Sequence, residues 1–362
     1  MNALLFDPLD SLFFRDGRPY HRDQSQADVV SQFPPFSPTL IGAARAALAR
    51  ALGWSGKGAW PSDITAMVGD GPCLKPLDFG GPYLLRDGQP VFPVPLLLLK
   101  TKAGGLIRLR PGAQPRQCDL GEAVRLPEPA TKAEGAKEAE GWITLDGLAA
   151  VLAGGVPEAD ALLDDDALFL REARVGHQRN PDSRTIQDDN ALYSPAHVRL
   201  QPKVTLALNV AGLPPKLPRV KASPLGGESR LAWIEWGEAP IGLPEPPKLA
   251  PDPDGKLRYS LVLVTPLDIS ELGPPRPNQP YAGLPGTLVS ACLGRLQRVG
   301  GWNGRNADGG GAPLPLRPLL PAGSVLFLEA DINALSDIEK LHGRKIGART
   351  AWGFGQLVLG TW

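Results

Sequence analysis

The order of elements in the last third of the chain constrains the fold most. LRYSLVLVTPL (257–267) reads as a strand and GTLVSACLG (286–294) as a short helix. RLQRVGGW (295–302) and SVLFLEA (324–330) read as two strands on either side of a glycine-rich NGRNADGGG, followed by a helix at INALSDIEKLHG and a final strand at QLVLGTW. That order, β-α-β-β-α-β, is the ferredoxin-like arrangement. The first part of the chain reads the same way. Leu4-Leu5-Phe6 starts a buried strand, and Ser37-Pro38 supplies an N-cap with proline at the first helical position. The helix then runs from Thr39 to Leu52, with Ile41, Ala44, Leu48 and Leu52 at helical spacing and Gly53 closing it. Gly42, Ala43, Ala46 and Ala47 suit close packing on a sheet, while Arg45 and Arg50 leave the apolar stripe.

A length of 362 residues suits two domains, on a prior of roughly 150 residues each. The expectation is an α+β protein of two tandem ferredoxin-like (RRM-like) domains with long loop and hairpin insertions, spanning residues 1–245 and 246–362. The boundary falls in the proline-rich GLPEPPKLAPDPDGK. Gly 42 and Pro 40 together predict turn-rich loops between modest elements. Within the first domain, strands are expected at 83–85, 91–99, 106–109, 204–210 and 230–236. Residues 127–141, with no apolar residue larger than alanine, are expected to form a mobile loop outside the core.

Function must be sought in the polar insertions. The stretch 172–200, REARVGHQRNPDSRTIQDDNALYSPAHVRL, reads as two strands joined by a loop dense in donors: His177, Gln178, Arg179, Asn180, Arg184, Gln187 and Asn190. A second such segment, DSLFFRDGRPYHRDQ, groups Arg15, Arg18, His21 and Arg22 with aromatics around an Asp16-Gly17 turn, which suits phosphates and stacked bases. Each is also readable as a solvated turn from local pattern alone. The formal net charge is zero, so a polyanion must be gripped by a local patch rather than by an overall field.

Other chemistries find little support. The three cysteines and four histidines are scattered with no C-x-x-C or H-x-x-x-H pair, which argues against structural zinc and suits a reducing compartment. Asp164 to Asp166 reads as a solvated run rather than a metal site. GWSGKG follows a helix instead of a strand, so it is not a phosphate loop. GFGQLVLG is followed by a β-type run, so it is no dinucleotide site; its glycines admit close approach of another backbone, with Arg344, Lys345 and Arg349 beside them. No cofactor, small-molecule substrate or membrane span is expected, and MNALLFDPLD lacks the pattern of a signal peptide, making the cytoplasm the expected location.

Three segments together resemble the RAMP superfamily of CRISPR proteins, and within it the third-subunit family of the Cmr module of type III-B effectors. They are PLDSLFFRDGRPY with PPFSPTLIGAARAAL, RVGHQRNPDSRTIQDDNALYSPAHVRL, and the terminal GFGQLVLG. The resemblance implies a non-catalytic subunit that holds the 5′ handle of CRISPR RNA beside the large polymerase-type subunit and the backbone subunits. On that reading the RNA contacts are Arg15, Arg18, His21, Arg22, Arg179, Arg184, Gln187, Tyr193 and Arg199, with Arg344, Lys345 and the amides near Gly353 and Gly355 adding phosphate contacts. His177 stands where relatives usually carry an apolar residue, and is either an RNA contact or a local variation.

Two rivals compete with this reading. One is a metal-independent CRISPR RNA-processing endoribonuclease of the same superfamily, with His21 or His177 as general base. Against it, neither loop holds a second histidine, or a lysine and tyrosine together, to complete the acid and base roles. The other is a purely protein-binding scaffold using some of its eight tryptophans.

Overall fold

The computed structural model describes residues 2–15, 29–131, 134–177, 182–183, 185, 192–213, 222–237, 240–303 and 312–362. In chain order the first half contains β1 (Asn2–Pro8), β2 (Val29–Val30), α1 (Ser37–Ala51), α2 (Ser62–Val68), β3 (Asp78–Arg86), β4 (Gln89–Pro93), α3 (Leu145–Leu152), β5 (Phe169–Ala173), β6 (Gly176–His177), β7 (Leu192–Tyr193), β8 (Pro195–Leu200), β9 (Val204–Ala211) and β10 (Leu231–Gly237). The second half contains β11 (Lys256–Leu263), β12 (Thr287–Cys292), β13 (Gln297–Val299), β14 (Arg317–Leu320), β15 (Val325–Asp331), α4 (Leu335–Glu339), β16 (Trp352–Gly353) and β17 (Leu357–Thr361).

Each half is built on four antiparallel strands in one spatial order. In the first half the neighbours run β3-β9-β1-β10, with Leu4 opposite Leu208 and Phe6 opposite Ile234. In the second they run β12-β15-β11-β17. Counted along the chain, both orders are second, third, first, fourth. The larger sheet is extended past β3 by β4, Trp142–Thr144 and Leu162–Leu163, and β16 joins β3 in parallel.

One sequence expectation is corrected here. GTLVSACLG is not a helix; it is β12, paired with β15 from Thr287 opposite Glu329 to Cys292 opposite Val325. A short apolar run cannot be assigned by periodicity, and β-branched Thr287 and Val289 fit the pleated ladder. Residues 264–286, where a crossover helix would lie, hold only the short strand Leu267–Asp268, turns and irregular chain. RLQRVGGW contributes β13 to a separate small sheet with β14 and Leu267–Asp268.

α1 forms where the sequence indicates, with Pro38 in its first turn and Leu40, Ile41, Ala44, Ala47 and Leu48 buried against the large sheet. Its cap residue is Phe36, so Ser37 is already helical. Two of its details differ from expectation. Gly42 faces open space, and Arg45 is buried, donating from Nε to the Val68 carbonyl at 2.7 Å and from Nη1 to Gly71 at 2.9 Å. Val68 ends α2, where carbonyls lack intrahelical donors, and Gly71 lies in the turn that follows.

Alternation along the second-half strands feeds two cores. Leu257, Tyr259, Leu261, Leu326, Leu328, Leu357 and Leu359 point to one, closed by Ile338 of α4. Val262, Val325, Phe327 and Val358 point to the other, which they share with Tyr83, Phe92, Ile143, Leu148 and Val151 of the first half. Ala139 joins this shared core, so the charged segment 127–141 is partly built in: Lys137–Glu138 pairs with Leu98–Lys100 and carries Ala139 inward.

The terminal glycines sit in the same seam. Gly353 (φ +83) pairs with Gly80, and a Cβ there would lie 2.6 Å from the Gly81 carbonyl oxygen; at Gly355 (φ +77) it would lie 2.0 Å from that of Ile346. Gly355→Ala is expected to destabilise the protein by about 2–3 kcal/mol, from the left-handed backbone and the clash together. The readout is a thermal midpoint lowered by several degrees beside Gly42→Ala, which meets nothing within 4 Å and should leave the midpoint unchanged or slightly raised.

Candidate nucleic-acid interface

A small three-stranded sheet brings the two polar segments to one place. β5 and β8 pair antiparallel from Phe169 opposite Leu200 to Ala173 opposite Ala196. β2 lies parallel to β8, with Val29 beside Pro195 and Val30 beside Ala196. Beyond them β6 and β7 continue the hairpin, Gly176 opposite Tyr193 and His177 opposite Leu192. Segment 16–28 therefore leads into β2, which pairs with β8, and segment 178–191 is flanked by β6 and β7, a ladder of their own just ahead of β8, although about 160 residues separate the two segments in sequence.

The entry to the first segment is pinned to the same sheet. Leu12 and Val198 exchange backbone hydrogen bonds at 2.7 and 2.8 Å, the Phe14 amide donates to Ser31 Oγ at 2.8 Å, and the Gln32 amide donates to the Phe14 carbonyl. Beneath lie Leu12, Phe14, Phe33, Phe169 and Val198, with the Phe33 and Phe169 rings 4.6 Å apart. Arg15 is exposed at the point where segment 16–28 begins, beside an open groove of about 420 Å³. The groove is walled by Pro38, Thr39, Gly42 and Ala43 of α1 and by Gly226 and Gly227. Gly42, which the sheet does not need, keeps this wall low.

Next to the sheet is a cluster of three guanidinium groups around two carboxylates. Arg199 donates to Glu172 and, at 2.7 Å, to Asp10. Arg174 reaches both carboxylates at 3.3–3.4 Å, and Arg230 reaches Asp10 at 3.2 Å. The Arg199 hydrogen bond is the main reason the Asp10 carboxyl titrates at about 2 and the Glu172 carboxyl below its ordinary value. Arg199 is thus committed to protein acceptors, and Arg174 and Arg230, not selected as site residues from sequence, share its charges. The available signal was the cross-strand register, which places Arg199 diagonal to Glu172.

His197, also not selected, is fully buried on β8. Its Nδ1 lies 3.1 Å from Ser11 Oγ, its Nε2 lies 2.9 Å from Glu228 Oε2, and its ring stacks on Phe13 at 5.3 Å. A Ser-His-Glu trio invites a nucleophilic reading. Ser11 is only 1% exposed, however, so no substrate reaches its hydroxyl. The trio instead clamps the Gly226–Arg230 turn, whose Gly227 amide donates to the Phe13 carbonyl at 2.7 Å.

The remaining candidates divide. Arg18, His21, Arg22, Arg179, Arg184 and Gln187 lie outside the described residues, and His177 and Tyr193 are placed by their backbones in β6 and β7. Arg344 is exposed, but Lys345 is turned inward, donating to Asp78 Oδ1 and the Phe79 carbonyl, both at 2.7 Å. The Gly353 and Gly355 amides donate to the carbonyls of Thr350 and Pro266 at 2.9 and 2.8 Å. Those amides are used within the protein, which corrects the expectation that they contact phosphates. Among the described residues no three His, Cys, Asp or Glu side chains group to hold a metal ion, and no helix is long and apolar enough to cross a membrane.

A family model described as CRISPR-associated protein (Cas_Cmr3) matches residues 4–362. Among solved structures the chain is similar to one from the type III-B Cmr-beta complex bound to cognate target RNA and AMPPnP, at 14% identity and a TM-score of 0.44, covering 94% of this chain and 88% of that one. A second structure of Cmr-beta bound to cognate target RNA gives 14% identity, a TM-score of 0.45 and the same coverage. A chain of the Csm3-Csm4 subcomplex of a type III-A complex gives 9% identity and a TM-score of 0.36, covering 100% of this chain and 99% of that one. No curated protein shows a significant match to the sequence.

Burial holds both His197 and His342 below the ordinary imidazole value, His197 against the pull of Glu228 and with repulsion from Arg230 and Arg174. A depressed histidine binds its proton more readily in the unfolded chain, so this contribution is present above about pH 6.5 and is lost as pH falls below it. The thermal midpoint should drop between pH 7.5 and 5.5, and His197→Gln should flatten part of that drop. An unchanged profile in the variant would show that His197 does not carry it.

Proposed function

The chain belongs to the Cas_Cmr3 family of CRISPR-associated proteins; from this premise we propose that it is a subunit of a type III-B RNA-binding complex, the non-catalytic one holding the 5′ handle of the CRISPR RNA. The observation that carries the reading is the nearness of the two polar segments, one leading into β2 of the β5–β8–β2 sheet and the other framed by the β6–β7 ladder that immediately precedes β8. A single-stranded end needs hydrogen-bond donors and stacking faces converging from separate loops, because no duplex groove orients it. Arg15, Arg18, His21 and Arg22 would approach from the first segment, and His177, Arg179, Arg184, Gln187 and Tyr193 from the second. The low wall of α1 at Gly42 leaves room for a phosphate backbone beside Arg15. Arg199 acts by holding the sheet in place through Asp10 and Glu172.

In this reading the chain comprises two ferredoxin-like domains, residues 1–245 and 246–362, and bridges the large polymerase-type subunit to the backbone subunits. The shared second-third-first-fourth strand order of the two halves supports the tandem architecture. In the first domain, the hairpin between the second and third strands then carries the insertion 87–203, which contains the central loop. In the second, irregular chain replaces the first crossover helix.

The test uses the chain reconstituted with the large polymerase-type subunit and a CRISPR RNA bearing its native 5′ handle or a scrambled one. Preference for the native handle is expected, with Arg18→Glu/Arg184→Glu weakening it about tenfold or more, which corresponds to about 1.4 kcal/mol. Five arginines on single-stranded phosphates give a slope of log affinity against log salt of about −3.5, and the double variant should reduce its magnitude by about 1.4. Equal affinity for both RNAs would overturn the proposal in favour of a protein scaffold. Cleavage of the RNA lost in His21→Ala or His177→Ala would overturn its non-catalytic part.

A further inference from the structure

A partly open cavity at the seam of the two halves fits no role described so far. It holds about 210 Å³ between the turn that opens α1 and strands β3 and β4 on one side, and β13, the 321–322 turn and Phe354 on the other. Protein interiors leave few voids larger than a water molecule, and this one is much larger. Among the eighteen described residues that line it, six are aromatic, six are proline and none is charged. The aromatic walls are already fixed in place. Trp142 Nε1 donates to Asp165 at 2.9 Å, and Tyr83 Oη donates to Gln356. The Arg349 guanidinium lies 4.6 Å from the Phe354 ring centroid and donates to the buried Asp268 at 2.7 Å.

The polar side chains in this apolar wall are three and neutral: Gln32, Gln297 and Ser37. Ser37 is 1% exposed, and its Oγ is buried with no hydrogen-bond partner. A buried hydroxyl left unpaired costs stability, so its place beside a cavity argues for a partner that comes from outside. Carboxamides and hydroxyls each donate and accept. Flat apolar walls bearing such groups suit a planar ring whose edge carries both donors and acceptors. An inserted alkyl side chain would strand them. A phosphate or carboxylate would lie buried with no cationic side chain to pair with, which sets this cavity apart from the arginine-bearing segments. Its volume falls below the roughly 300–1,000 Å³ of sites that take drug-sized ligands, which limits the occupant to one or two rings.

We propose that the cavity binds a small uncharged heteroaromatic molecule, of the class to which free nucleobases and nicotinamide belong. The proposal is independent of handle binding and gives the seam a ligand that touches both halves. The full-length chain is titrated with adenine, with nicotinamide and with its isosteric anion nicotinate, as unmodified protein and as Ser37→Ala, Gln297→Ala and Ala322→Phe. The thermal midpoint is measured with and without each probe, and the titrations are repeated with handle RNA present.

Saturable binding of adenine or nicotinamide is expected, with the midpoint raised by the bound probe. Nicotinate should bind about tenfold or more weakly, because only its charge has no partner in the cavity. Ser37→Ala and Gln297→Ala should each weaken binding about fivefold, the worth of one hydrogen bond, without lowering the midpoint of the unliganded protein. Ala322→Phe, which fills the cavity, should abolish binding; if its midpoint shows it to be unfolded, the two polar variants decide. No saturable binding of either neutral probe overturns the proposal, as does equal binding by all the variants or by nicotinate. Displacement of the probe by handle RNA would make the cavity the seat of an RNA base and overturn its assignment to a free ligand.

Discussion

The pairing of Gly353 with Gly80 is the contact on which the arrangement of the two halves depends. Two main chains lie side by side there, and a Cβ at position 353 would meet the Gly81 carbonyl oxygen at 2.6 Å. Around that point the polar groups of the seam satisfy one another. Lys345 holds Asp78 and the Phe79 carbonyl, and Tyr83 Oη donates to Gln356 Oε1. The apolar faces of β3, β4 and α3 then close on Val262, Phe327 and Val358 as one core. Separating the halves would expose that core and strand several buried polar groups, so the chain behaves as one body.

A rigid seam matters for the interface because the small sheet rooting the polar segments is built entirely by the first half. Its strands rest on Leu12, Phe33 and Phe169, and its outer corner is held by Arg199, Asp10 and Glu172. The Ser11–His197–Glu228 contacts add the Gly226–Arg230 turn, where Glu228 and Ser229 both have positive φ. Strained turns of this kind persist only where surroundings over-determine them, and here a buried histidine, a backbone hydrogen bond and the Phe13 ring all do so. The strands that flank the two polar segments are thus fixed in place.

How much of this could be read in the sequence depended on whether the deciding partner was local. α1 was legible because Pro38 and the 40, 41, 44, 48 spacing are local signals, and β8 because its strand pattern is local too. The glycines at 353 and 355 correctly signalled close backbone approach, yet their partners at Gly80, Gly81 and Ile346 are fixed only by the fold. Arg45 looked like a surface residue because the carbonyls it satisfies, at Val68 and Gly71, belong to the end of a different helix and the turn after it. GTLVSACLG misled because six apolar or small residues fit either period, and the ladder with β15 decides. Ala139 became core because a neighbouring strand carries it inward, although the segment around it is charged.

The charge distribution explains how a chain of zero net charge can serve a polyanion. Much of the positive charge is already spoken for: Arg174, Arg199 and Arg230 by Asp10 and Glu172, Arg317 and Arg349 by Asp268, Arg125 and Arg258 by Glu329. The two polar segments each set three aspartates against two arginines, Arg18 and Arg22 standing among Asp16, Asp23 and Asp28, and Arg179 and Arg184 among Asp182, Asp188 and Asp189. Such segments cannot attract RNA through a long-range field, because opposite charges a few residues apart cancel beyond a Debye length of about 8 Å. They can discriminate at contact, where each guanidinium offers a fixed fork of donors and each neighbouring carboxylate repels a misplaced phosphate. On the proposed reading, non-specific RNA would bind weakly and recognition would rest on the geometry of the bound end.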